Sequence, residues 1–188
     1  MPFKNPPMPI ELASRQRKFP LPLKELSKAA ELALKELGGS REFISIVFMN
    51  DRTIREVNKK FRNKDKTTDV LSFRYAPEPV PDLEDVPVGE ILISVETASR
   101  QAEALKIPLV SEVLNLIIHG LCHVFGYDHE KGKIEADRMR NMERHIARRL
   151  LSELEMTLDM FGLDQSVGRL PENTVRGKIP DPKETRES

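Results

Sequence analysis

Val110, Val113, Leu114, Ile117, Ile118 and Leu121 recur at helical spacing and leave little polar surface between them. A helix that is apolar on nearly every side has to be enclosed by other elements, so this one is expected at the centre of the fold. No apolar run approaches the roughly 20 residues that span a bilayer, which excludes a membrane-spanning helix. The stretch is core, and everything else must be arranged to cover it.

The chain of 188 residues has 39 % hydrophobic and 32 % charged residues, enough for one ordinary domain built from amphipathic elements. Leu23, Leu26, Ala30, Leu34 and Leu37 predict a helix stopped at Gly38-Gly39. Phe43 to Met49 reads as a strand, and Asn50 or Asp51 can cap a following helix that carries Ile54, Val57 and Phe61. Asp69 to Phe73 and Gly89 to Ser94 read as two more strands, and Ile10-Glu11-Leu12 as an edge strand. A helix through Ala98, Ala102 and Leu105 leads to the central helix, which runs to Gly126. The last helix begins near Lys133 and carries Ile134, Met139, Met142, Ile146, Leu150 and Leu154. The expected fold is α/β (α+β): a small mixed β-sheet covered by helices, one of them central. Residues 1–164 are expected to form a single domain with a flexible arm over 1–8, and the polar tail 165–188 is expected to be disordered. With a single cysteine and no signal peptide pattern, the chain reads as cytoplasmic.

Of four histidines, three fall in the segment His119-Gly-Leu-Cys-His123-Val-Phe-Gly-Tyr-Asp-His129. His119 and His123 are one helical turn apart, with Cβ atoms about 5–6 Å from each other on one face. Gly126 can take a positive φ, end the helix and bring His129 back toward the pair. Three imidazoles suit one zinc ion and leave a fourth position open, the mark of a catalytic site. Two plainer readings stand beside this: histidines that merely pack, and a structural metal with a fourth ligand from elsewhere. Cys122 lies off the ligand face and reads as core, and His145, among charges, reads as a surface residue. Asp128 and Glu130 are candidates to orient a ligand histidine, or ordinary surface carboxylates. The arrangement is metzincin-like, matching H-E-x-x-H-x-x-G-x-x-H except that Gly120 stands where those peptidases carry their glutamate base. Peptide hydrolysis is therefore the runner-up.

Arg52, Arg55, Lys59, Lys60, Arg62, Lys64 and Lys66 face only Glu56 and Asp65 within one short segment of an otherwise neutral chain. Such a face suits phosphate binding, or is a solvated face balanced by the acidic loop around Glu78, Asp82, Glu84 and Asp85. Arg62 is the sharper candidate, because it ends its helix just before a strand and a guanidinium there can hold a phosphodiester.

The run Asn58 to Phe73, then Gly89 to Ser94, then the histidine block resemble the YbeY family of bacterial endoribonucleases, also described as rRNA maturation factors, over about Ile10 to Leu154. Cys122 stands where that family usually has leucine. The resemblance implies one zinc ion on His119, His123 and His129, with Arg62 as the functional arginine. It also implies a single-strand-specific endoribonuclease acting in small-subunit (16S) rRNA 3′-end maturation and ribosome quality control. Its partners would be single-stranded RNA and the ribosome or assembly factors, with no DNA and no membrane. The metal would polarise a phosphoryl oxygen or acidify its water while Arg62 steadies the anionic transition state. Attack by the RNA's own 2′-hydroxyl is a second route. A non-catalytic RNA-binding assembly factor with structural zinc is the competing non-enzyme reading.

Overall fold

Strand alternation decides which helix covers which side of the sheet. The computed structural model describes residues 9–39, 42–75 and 87–153. Its elements are β1 (Ile10–Ser14), α1 (Leu23–Glu36), β2 (Ile44–Met49), α2 (Asp51–Arg62), β3 (Val70–Arg74), β4 (Gly89–Ser94), α3 (Val95–Leu105), α4 (Leu109–Val124) and α5 (Lys133–Glu153), with a 3-10 turn at His129–Lys131. The arm 1–8, the acidic proline loop around Glu78 to Asp85 and the tail 165–188 lie outside the described residues. The four strands lie in the order β1-β2-β4-β3; β1, β2 and β4 are parallel, and β3 runs antiparallel along β4 at one edge. The mixed sheet covered by helices is the expected class, and Ile10 does begin an edge strand.

Ile44, Ile46 and Phe48 of β2, with Ile91 and Ile93 of β4, point to one side and meet α1, α3 and α4 in the main core. Val47, Met49, Leu71 and Leu92 point to the other side, where α2 covers them with Ile54. The period of two thus separates two cores. Helix α4 sits inside the larger one, with Val113, Leu116, Ile117 and Leu121 fully buried, as its all-round apolar sequence requires. Helix α5 closes over it through Met139, Ile146 and Leu150. Ile134, an apolar residue of the same helix, is 83 % exposed. It precedes Met139 by five residues, which turns it about 140° away from the buried stripe.

Two further details set the frame of the site. In the β3–β4 pair, Ser94 N donates to Asp69 O and Tyr75 N donates to Val88 O, so Val70, Ser72 and Arg74 turn their backbone groups to the open edge. Helix α2 is capped by Asn50, whose Oδ1 accepts from Thr53 N at 2.9 Å. Its first residue, Asp51, joins it to the neighbouring elements: the carboxylate accepts from Ser94 Oγ, from Thr97 Oγ1 at 2.7 Å and from Arg100 Nη2 at 2.7 Å. Burial works against this carboxylate, yet the bonds from Ser94, Thr97 and Arg100 outweigh it and hold its pKa below the ordinary value. No single helix among the described residues is long and apolar enough to cross a membrane.

Asp51→Asn is expected to destabilise the protein at pH 7 by about 1–3 kcal/mol, since charge-assisted bonds between α2 and α3 are weakened. Because the folded pKa lies below the unfolded one near about 3.9, the Asp51 contribution is present above that pH and lost as pH falls through the folded value. Urea unfolding at pH 7 and pH 3 should show the gap between the two proteins narrowing in acid.

Candidate metal centre

Helix α4 carries His119 and His123 one turn apart near its C-terminal end, and the chain reversal after it delivers His129. The reversal is a Schellman turn. Gly126 has φ +90°, its N–H donates to His123 O at 3.0 Å, and Tyr127 N donates to Cys122 O at 3.0 Å. Asp128 then caps the 3-10 turn, accepting from Glu130 N at 2.9 Å, and places His129 at its first position.

One ring nitrogen from each of His119, His123 and His129 lies within 4.8 Å of the others. His119 Nε2 and His123 Nε2 are 3.2 Å apart. Two nitrogens on a tetrahedral cation with bonds of about 2.0–2.1 Å stand about 3.3 Å from one another, so the donor set fits a single ion of that kind. Among the described residues no fourth histidine, cysteine or carboxylate belongs to the group. His119 and His123 are half-buried and His129 is exposed, so the cluster opens on solvent along the His129 side. Burial first, and then the two neighbouring imidazoles, lower the His123 pKa to about 4. That ring is neutral at physiological pH, the state in which imidazole is a ligand.

The carboxylate that hydrogen-bonds a ring of the cluster is Glu143, which the sequence did not single out beside the candidates Asp128 and Glu130. Glu143 Oε1 is 2.8 Å from His119 Nδ1, which puts the proton on Nδ1 and the lone pair of Nε2 toward the other rings. Asp128 is occupied in capping, with Lys131 at 3.6 Å. A signal for Glu143 did exist: it stands four residues after Met139 and three before Ile146, a carboxylate on the buried stripe of α5. Cys122 is fully buried, and burial together with Glu143 pushes its thiol up, so it behaves as core. His145 is half exposed and pairs with Glu36 at 2.7 Å, tying α5 to α1 far from the cluster in sequence and role.

Gly120 faces the sheet. A Cβ there would stand 2.7 Å from Ile91 Cγ2 and 3.1 Å from Ser72 Oγ, so the helix and the strands approach closer than any side chain allows. The peptidase glutamate therefore has no space at this position, which removes the support for peptide hydrolysis.

Arg62, exposed at the end of α2, reaches around the open edge of β3 and donates from Nη2 to Ser72 O at 3.4 Å. Its guanidinium lies 6.0 Å from the centroid of the Phe73 ring. Ser72 thus joins the two parts of the site: its carbonyl holds Arg62 and its hydroxyl lies against Gly120, the residue after His119. Asp65 pairs with Arg55 at 2.7 Å and Lys59 at 2.9 Å, and Glu56 with Arg52 at 3.2 Å. Three of the seven cations are thereby paired, while Lys60, Arg62, Lys64 and Lys66 have no ion pair among the described residues.

A mixed α/β domain with three imidazoles converging at the end of its buried central helix has the donor set of a metalloprotein of the three-histidine class. The family model "Endoribonuclease YbeY" matches residues 11–151. The endoribonuclease YbeY of Geobacter metallireducens is 39 % identical over 140 residues, 74 % of this chain and 93 % of that protein. The protein of the same name from Aquifex aeolicus is 42 % identical over 131 residues, 69 % of this chain and 85 % of its own. A solution structure from Thermotoga maritima shares the fold, with a TM-score of 0.51 at 22 % identity, covering 80 % of this chain and 97 % of that one. The chain belongs to the endoribonuclease YbeY family.

Glu143→Gln preserves size while removing the charge behind His119, and is expected to weaken metal affinity about 10–100-fold. Competition against a chromophoric chelator measures this directly. Asp128→Asn, in the same assay, should change affinity far less.

Proposed function

We propose that this chain is a metal-dependent endoribonuclease that cleaves single-stranded RNA in small-subunit (16S) rRNA 3′-end maturation and ribosome quality control. The observation that carries the reading is the 3.2 Å approach of His119 and His123 nitrogens, with His129 alongside, in a chain of this family. The catalytic unit is the single domain 1–164, working in the cytoplasm with the ribosome or its assembly factors as partners.

His119, His123 and His129 would hold one divalent cation, for which zinc is the best fit to an all-imidazole set. When bound, that cation supplies Lewis acidity toward a phosphoryl oxygen and lowers the pKa of water. The chain's own groups do the rest. Glu143 fixes the His119 tautomer and sends negative charge toward the ligand ring, raising its basicity. Burial keeps His123 neutral, so no proton competes for its nitrogen at pH 7. Arg62 anchors one nitrogen on the Ser72 carbonyl and keeps its remaining N–H donors for phosphodiester oxygens, where they offset the charge that grows in the transition state. Its tether to the edge strand restricts the guanidinium before substrate arrives, which lowers the entropy lost on binding.

His123→Ala is expected to abolish cleavage and lower metal content together. Arg62→Ala should lower kcat/KM for single-stranded RNA by about 10²–10³-fold, the scale for removing one transition-state donor, with metal content unchanged. Cleavage of a labelled oligonucleotide alongside elemental analysis of the same preparations tests both. RNA cleavage by the Arg62→Ala protein at the wild-type rate removes that arginine from the mechanism. An unstructured protein substrate should remain intact in the same incubations.

A further inference from the structure

Phe61 departs from the behaviour of its own helix stripe. Ile54, Val57, Asn58 and Phe61 follow one face of α2, and Ile54 and Asn58 are buried, yet Phe61 is 61 % exposed. It overhangs the edge of the sheet one residue before Arg62. Its ring meets Phe73 at 5.6 Å between centroids and 63° between planes, a T-shaped contact, and its exposure leaves much of the ring open to water. The Lys60 ammonium stands 5.1 Å from that ring, and Lys64 and Lys66 continue the positive charge along the exposed segment after the helix. These three, like Arg62, have no ion pair among the described residues. An exposed aromatic ring forgoes much of the stabilisation that burial would give it. Set among unpaired cations, it has the make-up of a single-strand nucleic-acid surface, where rings stack on bases and cations follow the phosphates.

We propose that Phe61 is a stacking platform for one unpaired base of the RNA substrate. The inference rests on the ribonuclease reading and adds to it the origin of the preference for single strands. The base lies on the exposed face of the Phe61 ring. Lys60, on a flexible stem, turns to the phosphate beside that base. Arg62 takes a phosphodiester further along, and the strand crosses the edge of β3 at Ser72 toward His119, which is next to Gly120. A duplex keeps its base faces covered by neighbouring pairs, so it has nothing to lay on the ring, and its phosphates alone bind less well. Phe73 positions the platform from beneath and does not itself meet the base.

The chain contains no tryptophan, so Phe61→Trp installs its only indole at the proposed contact. The probe is a 2′-O-methyl single strand of about ten nucleotides, which spans a surface of this size. Its emission should be quenched by that strand, and left unchanged by an abasic strand of equal charge or by the duplex. Phe61→Ala and Phe61→Leu should both raise KM about tenfold, roughly 1.4 kcal/mol, with metal content unchanged. Leucine keeps the apolar bulk and lacks the ring, so wild-type KM in Phe61→Leu overturns stacking. Emission that ignores a base-bearing strand, in a protein whose wild type cleaves RNA, overturns the platform and leaves the ribonuclease reading standing. Failure of the wild type to bind or cleave single strands overturns both. Emission that shifts with protein concentration in the absence of RNA assigns the ring to self-association and equally overturns the proposal.

Discussion

The contact between α4 and the sheet at Gly120 governs the rest of the molecule. Because residue 120 has no side chain, the helix settles against Ile91 and Ser72 at a distance that a Cβ would forbid. In a densely packed interior a side chain at 120 would have to displace Ile91 and Ser72, directly beneath the helix that carries two of the three histidines. Ser72 contributes in the same way from the other side. Its small hydroxyl has no hydrogen-bond partner among the described residues, so what the position uses is its size. The residue that replaces the peptidase glutamate is thus a structural requirement of this fold, and its chemistry has to be organised around other groups.

Those groups come from three separate parts of the chain. His119 and His123 belong to α4, His129 to the turn that follows, and Glu143 to α5, which packs back over α4. The His119–Glu143 bond therefore serves two purposes: it ties α5 to α4 and it sets the tautomer of one ring of the imidazole cluster. Arg62 approaches from the opposite core, around an edge strand whose outward carbonyl accepts it. A surface with a cation cluster on one side of β3 and an imidazole cluster on the other suits a polyanion that crosses the edge between them.

Much of the frame was legible because its signals are local. The strands at Ile44 and Gly89, the Asn50 cap and the helix stops follow from periodicity and backbone chemistry within a few residues. Placement of the three histidines depended on a helical turn and one glycine, both readable along the chain. What local signals leave open lies where distant segments meet. Ile134 shares the apolar character of the buried stripe of α5, but its angular position on the helix puts it in water. Asp128 and Glu130 were candidates through proximity in sequence, whereas Glu143 reaches His119 from the packed face of another helix. The charge of the 52–66 segment was counted correctly, but which cations its two carboxylates neutralise depends on how the chain folds back after α2.

By itself, then, the amino-acid sequence determined the secondary elements, the central helix and the spacing of a three-imidazole cluster, since each depends on interactions spanning one or two turns of chain. Only the tertiary structure decided that Glu143 backs His119, that Gly120 is an approach point with no room for a base, and that Arg62 and Phe61 stand at the open edge of β3. These depend on which surfaces come into contact once both cores close, and contact between segments tens of residues apart is set by packing of the whole, which no local pattern encodes.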